Sequence, residues 1–372
     1  MTSINRQPAS AQLAGVERPT EMMTPIDGSP SKLSKNLHAT PKKTGPTLHR
    51  ELHDRLERVG CFRRAPWAYG IKITLLLVVG ALCYLALLTG PELVLRTGLV
   101  AILAFISVQA GFIAHDAGDG GVTQNRRISL WLRHILMSFV SALSSSYFDY
   151  LHKIHHLTLS RGASEPAAVT VADNPYEIRW FKKLVSWNGI VFLVSTVCMR
   201  GVTFRLESLR YVSTNKRTTS LDRFLMALHA FVWLLVPLPL IGIADTLINY
   251  GLISLVAGPY IGTVLILNHE GMSLARSLGH LSLMERVTRS TRNLGRSRWS
   301  DFFFGGVNNH VEHHLFPQIP SMRLREARKV TSEFCRAKNV PYVETSFGRA
   351  LVESAKHFRT VPRDRLVTEA LS

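Results

Sequence analysis

The chain has 372 residues, 46% of them hydrophobic and 19% charged, with a mean hydropathy of +0.11; this is too apolar for an ordinary soluble protein and excludes a disordered chain or a small disulfide scaffold. Lysine and arginine number 44 against 26 acidic residues, a formal charge of +18, which points to nucleic acid or a membrane surface as partner. The cysteines at 61, 83, 198 and 335 form no C-x-x-C pair, so neither a zinc knuckle nor a disulfide framework is indicated, and a reducing compartment fits.

Residues 1–48 are rich in Ser, Thr, Pro and Lys, lack an apolar period and read as a flexible tail without a signal peptide. Leu48 to Arg64, with Leu52, Leu56 and Val59 among alternating charges, predicts an amphipathic helix at the bilayer surface. Ile71 to Gly90 is an apolar run of about 20 residues, enough at ~1.5 Å per residue to cross a hydrocarbon core of ~30 Å. A Gly-Pro-Glu turn follows, and Leu93 to Ile113 returns as a second span, with Arg96 near its outer end.

Residues 128–149 and 180–204 are apolar but interrupted, by Arg133 and His134 in the first and by Lys182, Lys183 and Arg200 in the second, and read as interfacial or cytoplasmic helices. Phe224 to Ile243 and Leu247 to Leu267 are cleaner and predict a second hairpin, its loop carrying Asp245. Only Arg96 of the 44 basic residues then lies toward the far side. This asymmetry satisfies the positive-inside rule and assigns the charge to loops beside an anionic leaflet, with both termini cytoplasmic and no nucleic-acid groove. The expected architecture is an all-α membrane domain over 49–360, four transmembrane helices in two hairpins with a cytoplasmic helical cap holding a di-metal histidine site, followed by a short C-terminal tail at 361–372.

Histidine supplies the chemistry. His115 and Asp119 stand at i and i+4 near a helix end, on one face. His152, His155 and His156, and again His310, His313 and His314, form two copies of H-x-x-H-H. At the frequency of 15 histidines in 372 residues, one such pattern is expected roughly 0.02 times by chance. Asn268 and His269 arrive at the same membrane face directly after the fourth span. Eight imidazoles exceed what one tetrahedral ion can use, so two first-row metals are implied, and a two-iron site that activates O2 is a sensible use; zinc hydrolysis would need fewer ligands. The isolated His134, His229 and His280 read as interfacial or hydrogen-bonded, and His38, His49, His53 and His357 as solvated.

These residues resemble the membrane-bound fatty acid desaturases, whose three histidine boxes are written H-x-x-x-H, H-x-x-H-H and H/Q-x-x-H-H. The second and third match in full, and the stretches GGVNNHVEHHLFPQIPSMRLREARKV and VPYVETSFGRAL look like bacterial acyl-lipid and acyl-CoA desaturases, over roughly residues 50–360. The resemblance implies a cytoplasmic cap with two iron ions held by His115, His152, His155, His156, His310, His313 and His314, with Asn268 and His269 as a further ligand region. It also implies an acyl chain in a tunnel, and with the bacterial type a bacterial inner membrane. Asp116, Asn309 and Glu312 are then candidates to orient imidazoles from behind.

One departure is Asp119, which stands where relatives carry the second histidine of HDAGH. A carboxylate still binds iron, so the expected desaturation has hydroxylation of a lipid or specialised metabolite as an alternative, and an inactive metal-binding scaffold as another. A metal transporter fits poorly, because its ligands belong inside the spans. No haem-binding His-Pro-Gly-Gly motif occurs in the sequence, so electrons are expected from a separate ferredoxin or flavin-dependent reductase.

Overall fold

In the computed structural model, which describes residues 45–161, 188–273 and 278–360, helices carry the fold and each of the two strands has only two residues. Residues 1–44 and 361–372, most of the expected tails, lie outside the described residues, as do Lys182 and Lys183. Helix α1 (Gly45–Val59) starts inside the expected tail and turns Leu52 and Leu56 into a core with Leu315, Phe316 and Phe334. His49, expected to be solvated, packs there on Phe316 at 4.6 Å between ring centroids.

Helices α2 (Pro66–Leu87) and α3 (Leu93–Gly118) form the first hairpin as expected. Proline in the first turn of α2 supplies a helical φ without a missing bond. On α2, Ile71, Leu75, Val78, Leu82 and Leu85 are all exposed. A row of large exposed aliphatic side chains on a span-length helix is the surface of a membrane protein.

The expected interfacial helix over 128–149 is two elements. Helix α4 (Arg126–His134) runs into a π-helical turn at Ile135–Val140, and α5 (Ser145–Arg161) leaves at a bend of 110°. The bend is built by polar groups: the buried Asp222 accepts from the Ser138 and Ser144 hydroxyls at 2.5 and 2.7 Å and from the Ser145 and Ser146 amides at 3.2 and 3.0 Å. Ser144, whose Oγ also accepts from the Tyr147 amide at 3.0 Å, caps α5, and Ser145 and Ser146 open its first turn.

Among the described residues four helices are long and apolar enough to cross a membrane, but they are not the expected four. Gly189–Thr214 (α6), assigned to the interface from sequence, is one of them. The charges in its middle are turned inward: Arg200, Arg205 and Glu207 are buried, with Arg200 Nη1 3.5 Å from Glu207, so these three do not count against an apolar exterior. The expected span over 224–243 is divided between α7 (Ser220–Ala230), a π-helical turn at Phe231–Leu235 and the start of α8 (Leu238–Leu267), whose helix breaks at Gly242 with φ +77°.

The hairpin itself survives. Along a continuous helix the 21 residues from His229 to Tyr250 would span about 31 Å, yet His229 Nε2 and Tyr250 Oη lie 3.2 Å apart. The chain therefore reverses between them, at the glycine rather than at Asp245. Arg96 reaches across to Asp245 at 2.9 Å and Asn249 at 2.6 Å, which ties the outer end of α3 to the start of α8.

Helices α6 and α8 touch backbone to backbone. A Cβ added at Gly201 would lie 2.0 Å from the Ser254 carbonyl oxygen, and one at Gly258 2.0 Å from that of Cys198. We expect Gly258→Ala to separate the two helices at a cost of about 1–3 kcal/mol, seen as a lower melting temperature of the detergent-purified protein. Gly251→Ala on the same helix, where an added Cβ meets nothing within 4 Å, leaves that temperature unchanged or raises it.

Candidate metal centre

Four chain segments meet at one end of the helices. Helix α3 stops at Asp119 because the next residue, Gly120, takes φ +76°. The amides of Gly120 and Gly121 then bond back to the Ala117 and Asp116 carbonyls at 3.2 and 2.8 Å, the Schellman ending of a helix. His115 and Asp119 are thereby fixed on the last turn. Helix α5 contributes His152, His155 and His156 after the Asp222-organised bend, and His269 follows the end of α8. Three short elements complete the frame: α9 (Leu283–Ser290), β1 (Asn293–Leu294) and α10 (Arg298–Phe303). They lead to α11 (His310–Leu315), six residues that are all buried.

Two groups of potential ligands result: His155, His269, His310 and His314, and beside them His115, Asp119, His152 and His313. In the first, Nε2 atoms converge, His269 to His310 at 2.9 Å, His269 to His314 at 3.2 Å, His310 to His314 at 3.0 Å and His155 to His314 at 3.1 Å. Four nitrogens at about 2.1 Å from a metal would stand about 3.4 Å apart. In the second, Asp119 lies 3.2 Å from His152 Nε2, 3.8 Å from His115 Nε2 and 4.0 Å from His313 Nδ1. His156 stands between the groups, with Nε2 3.2 Å from that of His313 and its ring centroid 4.6 Å from that of His314.

The donor set fits metal ions. Burial, followed by the repulsion of neighbouring imidazoles, holds His310, His313 and His314 well below the ordinary histidine pKa. Burial takes His269 down to about 4. Neutral imidazole is the ligand form. His269 Nδ1 donates to the Ser290 carbonyl at 3.1 Å, which fixes its tautomer and leaves Nε2 as a bare lone pair facing three other Nε2 atoms. Oδ2 of Asp119 is buried without a hydrogen-bond partner. Ring tips so close cannot all be satisfied by one another, whereas a cation between them satisfies every lone pair.

Asp116 Oδ1 lies 3.8 Å from His115 Nδ1, while Oδ2 accepts from Tyr69 Oη at 2.6 Å and the Ser321 amide at 3.3 Å. Glu312 and Asn309 do not face the imidazoles. At about 100° per residue, His310, His313 and His314 share one side of α11, and Glu312 projects from nearly the opposite one. Its oxygens accept from Asn293 Nδ2 at 2.8 Å and Tyr342 Oη at 2.7 Å, and burial raises its pKa. Asn309 bonds Asp301 at 3.3 Å, the Gly306 carbonyl at 3.1 Å and Arg328 at 3.2 Å.

Asn268 donates to the Val264 and Val307 carbonyls at 3.2 and 3.4 Å, and its Oδ1 is buried without a partner. Sequence reasoning missed Asn293. Its Oδ1 caps the amide of Val311 at 2.9 Å while its amide holds Glu312, and β1 pairs it with Glu344 of β2 (Glu344–Thr345). Nothing in the local sequence marks it. Helix α12 (Ser321–Ala337) supplies Arg328, which bonds Glu344 at 2.6 Å, and α13 (Phe347–Thr360) closes the chain. A cavity of about 150 Å³ opens beneath both groups, with His115, His152 and His269 at one end and Phe112, Phe204 and Ile261 on its walls.

A sequence profile described as fatty acid desaturase matches residues 91–346. Among similar proteins, the Δ8-fatty-acid desaturase of Helianthus annuus is 24% identical, over 84% of this chain and 72% of its own. Fatty acid desaturase 3 of Bos taurus is 24% identical over 82% and 70%. The Δ8-(E)-sphingolipid desaturase of Emericella nidulans is 24% identical over 80% of this chain and 59% of its own, so the chain spans about six to seven tenths of such relatives.

Replacing Asn293 tests the support of α11. Asn293→Ala strands the Val311 amide and leaves Glu312 one donor short, so the expected loss is about 1–3 kcal/mol, measured by thermal denaturation in detergent. Cobalt(II) titration of the same variant is expected to show weakened binding, although no ligand has been removed.

Proposed function

The chain belongs to the fatty acid desaturase family, and from that premise we propose that it is an O2-dependent oxidoreductase that uses two iron ions to insert a double bond into an acyl chain carried on a lipid or on coenzyme A. The observation that supports this best is the pair of ligand groups joined by His156 above one apolar cavity. A bound iron pair would supply reduction of O2 coupled to removal of hydrogen from an unactivated methylene. The two hydrogens leave as water, together with two electrons and two protons from outside.

In this reading His155, His269, His310 and His314 hold one iron, and His115, Asp119, His152 and His313 the other, with His156 available to either and Asn268 behind the first group. Tyr69 and Asp116 keep His115 oriented. The walls formed by Phe112, Phe204 and Ile261 exclude water and hold one C–H bond against the histidines. Electrons come from a separate ferredoxin or flavin-dependent reductase, for which the support is a basic excess of +18 that attracts acidic carriers. The same reading puts the site and both chain ends on the cytoplasmic side of a bacterial inner membrane; with Gly189–Thr214 as a span, Lys216, Arg217 and Arg223 join Arg96 toward the far side, and most of the 44 basic residues still support that orientation.

Asp119 favours a second reading, hydroxylation, because a carboxylate 3.2 Å from His152 adds negative charge to one group of ligands. Iron analysis of the purified protein, together with mass spectrometry of lipids from expressing cells, decides. Desaturation gives two irons per chain and a product lighter by about 2 Da, lost in His313→Ala; hydroxylation gives one heavier by about 16 Da. Absence of both iron and product with a supplied reductase would identify an inert scaffold.

Asp119→His is expected to retain both metals. If the carboxylate sets the outcome, this variant also shifts the product ratio toward desaturation, and an unchanged ratio removes Asp119 from the choice between the reactions.

A further inference from the structure

The cavity beneath the metal groups is not apolar throughout. At the end away from the histidines it is lined by Ser107 and Arg205, and the same two residues line a second cavity beyond, between α2, α3 and α8. Ser107 and His115 are eight residues apart on α3, about 12 Å along the helix. Arg205 is only 9% exposed. Its Nη1 donates to the Gly201 carbonyl at 2.6 Å and its Nη2 to Ser107 Oγ at 3.3 Å, while Nε has no partner.

No carboxylate among the described residues pairs with Arg205. The nearby Glu207 is engaged by Tyr147 Oη at 2.8 Å and by Arg200, and the guanidinium of Arg200 also lies over the Phe204 ring, 3.4 Å from its centroid. Asp222 is enclosed by the serines of the bend. The other neighbours are neutral: the Tyr250 phenol, and His229, whose Nδ1 bonds the Phe139 carbonyl at 2.6 Å. A buried guanidinium without a counter-ion is strongly unfavourable unless an anion reaches it. A wall that held only hydrocarbon would be better served by leucine.

We propose that Arg205 seats a carboxylate of the substrate, so that an acyl chain lies in the cavity with an anionic end at Arg205 and Ser107 and its reacting methylene against the histidines. The proposal rests on the reading of this cavity as the substrate site. On a chain carried as an ester or thioester this is the far-end carboxylate; a free fatty acid entering head first presents the same group and would replace the lipid or coenzyme A carrier of the proposed function. Arginine suits either, because its planar fork binds carboxylate through two parallel N–H groups.

The test reads binding rather than turnover, so that its result is independent of the iron chemistry. Full-length protein in nonionic detergent at pH 8 is titrated calorimetrically with dodecanoate, methyl dodecanoate, monomethyl dodecanedioate and the dimethyl ester. The expected result is a preference of about tenfold or more for an acid over its ester, abolished in Arg205→Met and partly kept in Arg205→Lys. Preference for dodecanoate indicates head-first entry, and preference shown by the half-ester alone indicates a far-end carboxylate. Equal binding of acids and esters by the wild type overturns the proposal, as does a preference that survives Arg205→Met. Should Arg205→Met not fold, the wild-type comparison and Arg205→Lys decide by the same criteria.

Discussion

Eight imidazoles in one buried volume repel one another once protonated, and the rest of the cap is arranged around that constraint. Burial keeps the rings of α11 neutral and their lone pairs inward, which is the state a metal needs and one that is unfavourable without a cation between them. The candidate ligands come from four segments far apart in sequence, at 115–119, 152–156, 269 and 310–314. No segment could hold an ion by itself, so closing the site and completing the tertiary fold are the same event, and binding of a metal there would be coupled to stability.

Each segment is held by a different device. The turn at Gly120 ends α3 directly after Asp119, whose carboxylate meets His152 at 3.2 Å. Asp222 gathers four donors to turn the chain into α5. The six-residue α11 is too short to be stable alone. It depends on Asn293, whose side chain caps it and pins Glu312, while a two-residue parallel strand pair holds Asn293. The carboxyl group of Glu312 is buried on the side away from the histidines, where its hydrogen bonds to Asn293 and Tyr342 anchor the helix.

The site was largely legible in the sequence because periodicity carries it. Two copies of H-x-x-H-H state which faces of α5 and α11 are occupied, and His115 with Asp119 does the same for α3. What pattern could not give was contact between distant segments. Glu312 and Asn309 lie beside the candidate ligands in sequence but project away from them, and Asn293, which holds Glu312 and caps the Val311 amide, carries no motif. The first hairpin was equally legible from its length and apolarity. The second was placed correctly as a reversal but not as two clean helices, because a π-helical turn and the break at Gly242 leave composition unchanged.

The largest misreading, α6, has a physical cause that bears on substrate choice. Counting charges along a segment treats each as a penalty against burial in lipid, yet the penalty applies only to charges that face lipid. In α6 the exposed positions include Val194, Leu206 and Leu209, whereas Arg200, Arg205 and Glu207 are buried. Arg200 and Glu207 form an internal pair, so two of these charges serve cohesion. Arg205 has only neutral neighbours and opens onto the cavity. The feature that made the segment look too polar for a membrane is therefore the one that most separates this cavity from a plain hydrocarbon tunnel.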